Sequence, residues 1–303
     1  MPNVHNTTEG VRLNVKTLTE LQAIAKPLPW LHQRRHCDGQ LGNQQAKRLG
    51  QGMEFQECRP YQPGDDIRHI HWRVTARTQQ AYSKIYSEDH ERPVCVWLDL
   101  APSMFFGTRQ HYKSVLAIKV AASIAWSCYQ SKERLASFIQ TPQHNQFTPP
   151  KYNLQHLLYC MNQLASASDN TTGPTRSRGP AITEFGPHRA ALPSGSIITL
   201  LTDGYDPAAH WFDTLSQLAP KYLIHLIHVF DPLEAQFSKA GIYPVQYDNQ
   251  THYVHMQSKS QRTQYRQAFE EKQRALKQHC QQLGVHWHSI STADTWQQQI
   301  FRW

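Results

Sequence analysis

Residues Val94–Thr108 read VCVWLDLAPSMFFGT, and this stretch decides the fold. The apolar run Val94–Leu98 ends at Asp99, so it reads as a buried strand that delivers a carboxylate at its carboxyl end, with Ser103 close behind. Ile197–Asp206, IITLLTDGYD, repeats the design and presents Asp203. Two carboxylates at the ends of two apolar strands predict a site at the edge of a parallel sheet, where open α/β folds place their ligands. Working outward, Tyr112–Tyr129 carries apolar residues at helical spacing, Leu135–Ile139 reads as a strand and Leu154–Leu164 as a helix. Residues 165–195 are rich in Ser, Thr, Gly, Pro and Arg and read as a long loop. Beyond them come strands at Ile197–Thr202 and Tyr222–Phe230, with a weaker helix around Trp211–Leu218. A hairpin follows at Ile242–Tyr247 and His252–Met256, then an amphipathic helix at Arg262–Leu283 stopped by Gly284. Val285–Ile290 is the last strand. Strands alternating with helices predict an α/β fold with a mostly parallel sheet flanked by helices.

At 303 residues the chain suffices for one large α/β domain with an extension, or for two small domains. Lys plus Arg exceed Asp plus Glu by 31 to 23, a formal charge of +8 spread along the chain, so composition alone fits an anionic partner or an ordinary basic surface. Six dispersed cysteines without a CxxC pair fit a reducing compartment. No apolar run long enough to span a bilayer and no leader-like apolar core at the amino terminus is present, so a cytoplasmic protein without a membrane span is expected.

Upstream, Thr17-Leu-Thr-Glu20 has capping-box spacing for a short helix that Pro27 and Pro29 stop. Residues 34–53 form a basic, Gln- and Gly-rich loop. Next comes GMEFQECRPYQPGDDIRHIHWRVTAR at Gly52–Arg77, with a turn at Pro63–Asp66, and a strand at Ala81–Tyr86. After Pro-Gly, the Asp65 and Asp66 carboxylates suit accepting backbone amides or pairing with Arg59, Arg68 or Arg77, with Trp72 beneath. That network reads either as a structural pin or as a surface a partner meets, since Arg and Trp anchor interfaces.

Hard divalent cations take oxygen ligands, and Asp99, Ser103 and Asp203 supply two carboxylates and a hydroxyl. Here the sequence resembles the von Willebrand factor A domain, whose metal-dependent adhesion site reads DxSxS, joined by a Thr and an Asp from two further loops. Asp99, Ser103 and Asp203 match that pattern, and Ala101 stands where the first Ser is usual. The Thr falls in the long loop, at Thr183 or at Thr171, Thr172 or Thr175. The resemblance therefore implies weak Mg²⁺ binding, with water in place of the missing hydroxyl.

The Gly52–Arg77 run narrows the match. Glu57, Arg59, Tyr61, Pro63, Gly64, Asp65, Asp66, Arg68, Ile70, Trp72, Ala76 and Arg77 fit the hallmark of bacterial proteins called domain of unknown function 58, typically encoded beside MoxR-type AAA+ ATPases. His71 replaces a usual Asp. The resemblance continues through Asp231–Glu234, the hairpin and the basic helix. It implies a von Willebrand A-like domain over residues 93–303, with the hairpin as an insertion, after an extension over residues 1–92 that packs against it. It also implies a non-enzymatic adaptor or chaperone-like partner of a MoxR-type ATPase that recognises protein clients.

Two other classes compete with the adaptor. A metal-dependent hydrolase on the same carboxylates needs a base, for which His69, His71 and His111 stand nearest. A nucleic-acid binder would use the helix face Arg262–Lys277 and the loop 34–48, but no recognised nucleic-acid motif accompanies them and none is expected as a ligand. No HExxH, GxSxG or P-loop motif is present.

Overall fold

The computed structural model describes residues 10–32, 53–62, 67–88, 92–141, 143–169, 181–204, 210–237, 239–247 and 250–300. The chain divides into two compact units: one comprises Met1–Arg35 and Arg92–Trp303, the other His36–Glu91. Met1–Arg35, part of the extension read over residues 1–92, falls in the larger unit. The reason is apolar: Leu18, Leu28 and Trp30 are buried in its core. Burial of three such side chains contributes on the order of 6 kcal/mol before the entropy of ordering them.

Helix α1 (Val15–Glu20) begins at Asn14, whose side chain accepts from Thr17 N–H at 2.7 Å. Asn14, rather than Thr17, is thus the cap, one turn earlier than the spacing of Thr17 and Glu20 predicts. The smaller unit pairs β1 (Met53–Pro60) with a later antiparallel strand, β2 (Tyr82–Glu88). Between them lie a 3-10 turn at Ile67–His69 and helix α2 (Trp72–Thr78), which closes on Gln79 in the left-handed region, φ 56°.

The larger unit then runs β3 (Val94–Asp99), α3 (Lys113–Gln130), β4 (Leu135–Gln140), β5 (Asn145–Lys151) and α4 (Leu154–Ser168). It continues through α5 (Ala181–Phe185), β6 (Ile197–Thr202), α6 (His210–Leu218), β7 (Leu223–Phe230) and α7 (Pro232–Ala235). The hairpin β8 (Ile242–Tyr247) and β9 (Gln250–His255) follows, then α8 (Lys259–Gln282), β10 (His286–Ser291) and α9 (Trp296–Ile300). The six-stranded sheet has the order β10-β7-β6-β3-β4-β5, parallel except for β5, which runs against β4 and carries Pro149 and Pro150.

Counted along the chain, this is the doubly wound 3-2-1-4-5-6 order expected of a von Willebrand A-like sheet, and the order reverses between β3 and β6. Each of β3, β4 and β6 is buried along its full length, which is why they read as unbroken apolar runs. Helices α3 and α4 cover one face and α6 and α8 the other. α3 is buried nearly all round because the amino-terminal segment packs on its outer side: Trp126 Nε1 donates to Leu18 O at 3.0 Å, and Ser127 Oγ accepts from Leu28 N–H at 2.9 Å.

Candidate functional site

The reversal point is where the sheet opens a crevice, and three parallel strands deliver acidic residues there. Asp99 closes β3, Asp203 follows β6 and Asp231 follows β7, and these strands are neighbours. All three are buried. Thr202, the last residue of β6, donates its hydroxyl to Asp99 Oδ2 at 2.8 Å and accepts from Gly204 N–H at 3.1 Å. Two strand ends are thereby tied together by one hydroxyl. Gly204 makes the turn with φ +63°, and a Cβ there would lie 3.0 Å from Leu276 on α8. The loop after β3 is equally tight, since a Cβ on Gly107 would lie 2.2 Å from the His111 carbonyl oxygen.

Lys113 sits at the start of α3 and is the cation of the cluster. Its Nζ donates to Asp203 Oδ2 at 2.8 Å and to Glu234 Oε1 at 2.5 Å, and its side chain is only 1% exposed. Burial by itself would lower the Lys113 pKa, but the two carboxylates outweigh it and hold the ammonium above its ordinary range. The Glu234 pKa is raised as well, because burial pushes its carboxyl up even beside Lys113. The ammonium, flanked on both sides, is the charge that stays fixed.

Glu234 also works locally. Its Oε2 accepts from Asp231 N–H at 2.9 Å, while Asp231 caps α7 by accepting from Leu233 N–H at 2.9 Å. The Asp231 carboxylate further accepts from Thr108 N–H at 2.8 Å, Thr108 Oγ1 at 2.5 Å and Thr292 Oγ1 at 2.6 Å. Burial would raise its pKa, and these hydrogen bonds, led by the two hydroxyls, bring it below the usual value. Asp231 therefore fastens the loops after β3, β7 and β10 to one another.

Ser103 lies in the 3-10 turn Pro102–Met104, and its Oγ is buried without a hydrogen-bond partner among the described residues. Thr183 is exposed on α5; the hydroxyl that reaches Asp99 belongs to Thr202. Thr171, Thr172 and Thr175 lie outside the described residues. The donor set does not suit a divalent cation as it stands. One of the two candidate carboxylates already carries an ammonium at 2.8 Å, and a divalent ion sharing Asp203 would meet that charge with a repulsion on the order of 5 kcal/mol. Among the described residues no group of three or more His, Cys, Asp or Glu side chains is arranged to hold a metal.

The other sequence-selected residues lie in the smaller unit. Arg59 and Glu57 are on β1, and Tyr61 N–H donates to Ala81 O at 2.7 Å. Arg68 and Arg77 are exposed, the second in the last turn of α2. Trp72 is 66% exposed at the start of α2, where the first turn of a short helix leaves it at the surface. Asp65 and Asp66 lie outside the described residues. His71 caps α2, with Nδ1 accepting from Val74 N–H at 3.3 Å. That use explains an aspartate as the usual residue there, since Asp is among the best helix caps.

Residues 57–279 match the family described as Protein of unknown function DUF58. The chain belongs to that family. Uncharacterized proteins of Mycobacterium tuberculosis and Mycobacterium bovis are 27% identical to it over 192 residues, 63% of this chain, which spans 59% of their length. Among solved structures it resembles a conserved hypothetical protein, BatB, from Bacteroides thetaiotaomicron, at 12% identity over 70% of this chain and 96% of that one, TM-score 0.43. An aerotolerance-related membrane protein from Bacteroides fragilis aligns at 13% identity over 70% of this chain and all (100%) of that one, TM-score 0.43. No described helix of the DUF58 chain is long and apolar enough to cross a membrane. The DUF58 match leaves out α1 and β10, both of which belong to the larger unit.

Proposed function

We propose that this DUF58 chain is a non-enzymatic recognition module, an adaptor or chaperone-like partner of a MoxR-type AAA+ ATPase that engages protein clients in the cytoplasm. In this reading the ATPase hydrolyses nucleotide, and the strand-end loops of the DUF58 chain present the surface that is recognised. The observation that carries it is Ser103: a buried hydroxyl without a partner among the described residues, in the loop that follows Asp99, at the reversal point of the sheet. A group without a partner in such a crevice suits an incoming polar atom. The neighbouring acids favour recognition over acid–base work, because they are engaged within the protein: Thr202 holds Asp99, Lys113 holds Asp203, and Thr108 with Thr292 holds Asp231. His71, one of the bases a hydrolase would need, serves as a helix cap.

The test is affinity purification of the tagged chain from native lysate with ATP, with ADP and without nucleotide, alongside Ser103→Leu. An AAA+ ATPase is expected with the wild type and reduced at least tenfold with Ser103→Leu. Eluates without such an ATPase under every nucleotide condition would sink the proposal.

A further inference from the structure

We infer that Lys113 is the resident cation of the strand-end site, and that its ammonium does there the work a divalent ion would do in an adhesion-type site. A lysine is an unexpected residue at this position. The amino-terminal turn of a helix is the positive end of its dipole and disfavours a cation. The side chain is also withdrawn from water to 1% exposure, which penalises an isolated charge heavily. Both penalties are offset only by carboxylates on two sides, and those come from two different strand ends: Asp203 after β6, and Glu234 in the turn of helix after β7. An ordinary surface ion pair has none of this, being exposed and worth little.

The consequence is mechanical. Through Lys113 the start of α3, which follows the Asp99–Ser103 loop, is bonded to the loops after β6 and β7. A divalent ion bridging Asp99, Ser103 and Asp203 would cross-link the same segments. Here the cross-link is covalently part of the chain, always present, and carries a single charge. Asp203 and Glu234 are therefore held to the start of α3 without added metal, and whatever meets this site does so without metal bridging. This goes beyond the adaptor reading and does not depend on it: a failed co-purification leaves the lysine assignment standing, and divalent binding by the wild type leaves the adaptor standing.

The experiment uses the full chain, Mn²⁺ and Mg²⁺ as probes, and both titration calorimetry and thermal unfolding. For the wild type, the unfolding midpoint in millimolar Mn²⁺ or Mg²⁺ is expected to match that in EDTA, with no binding heat. Lys113→Met removes the ammonium from Asp203 and Glu234 and is expected to gain Mn²⁺ affinity at least tenfold and to be stabilised by the ion. Lys113→Arg keeps the charge and gains nothing. Wild-type Mn²⁺ binding that Asp99→Ala abolishes overturns the assignment, as does a folded Lys113→Met protein without increased affinity. If Lys113→Met does not fold, Lys113→Met/Glu234→Gln removes one stranded carboxylate, and the wild-type comparison decides by itself.

Discussion

Asp231 shows what a single buried carboxylate does in this chain. It collects two backbone N–H groups and two threonine hydroxyls from three loops. Asp231→Ala leaves those donors without their acceptor and removes the cap of α7. A loss of about 3 kcal/mol is expected, read as a lower urea midpoint with an unchanged m-value. His71→Asp should act in the opposite direction. An aspartate caps α2 better than an imidazole and adds negative charge at the positive helix end, so a gain of about 1 kcal/mol is expected in the same denaturation assay. At this scale the sequence was partly legible. Asp99, Ser103 and Asp203 stand out because they interrupt or follow apolar runs. Lys113, Thr202 and Glu234 do not: a lysine at a helix start and a threonine at a strand end are ordinary, and only the fold brings them to the acids. The one sequence cue for Thr202 was its place directly before Asp203.

The strands and helices carry a pH dependence of their own. His225 and His228 on β7 and His288 on β10 lie inside the larger unit, with Trp30 and His286 stacked on His225. Burial lowers the His225 pKa to about 2 and those of His228 and His288 to about 4; His286 and His288 reinforce the shift at His225, and Asp203 opposes it at His228. Each is neutral when folded and takes up a proton near pH 6.5 when unfolded. The unfolded chain therefore binds more protons below about pH 6.5, so stability is complete above that value and is lost as pH falls towards about 4. A urea midpoint measured from pH 7 to 4.5 should fall throughout, and His288→Gln should flatten the slope. The core strands and long helices were visible as apolar runs and as a 3.6-residue period. β1, β5 and α2 were not: two are edge or hairpin strands with mixed composition, and β5 contains two prolines, which argue against a strand.

For the molecule as a whole, the amino-terminal segment is part of the larger unit rather than an appendage. Leu18, Leu28 and Trp30 are among its most buried side chains, and Ser127 on α3 holds both Leu28 N–H and Lys26 O. A chain lacking residues 1–32 uncovers the outer face of α3, whose residues are apolar nearly all round. Such a chain is expected to bind an apolar dye strongly and to lose its cooperative unfolding transition, because domains have only about 5–15 kcal/mol to lose. The same molecule has a quiet side. A sheet invites foreign strands wherever its last strand offers a row of unpaired N–H groups. On β5, Pro149 and Pro150 have no N–H to offer, and the register of the strand slips beside them, between Leu135 and Ser137 of β4. Growth of the sheet from this border, by a second copy or by an unfolded stranger, finds a broken template. Crowded cells punish sticky borders, and this one is blunted by two residues.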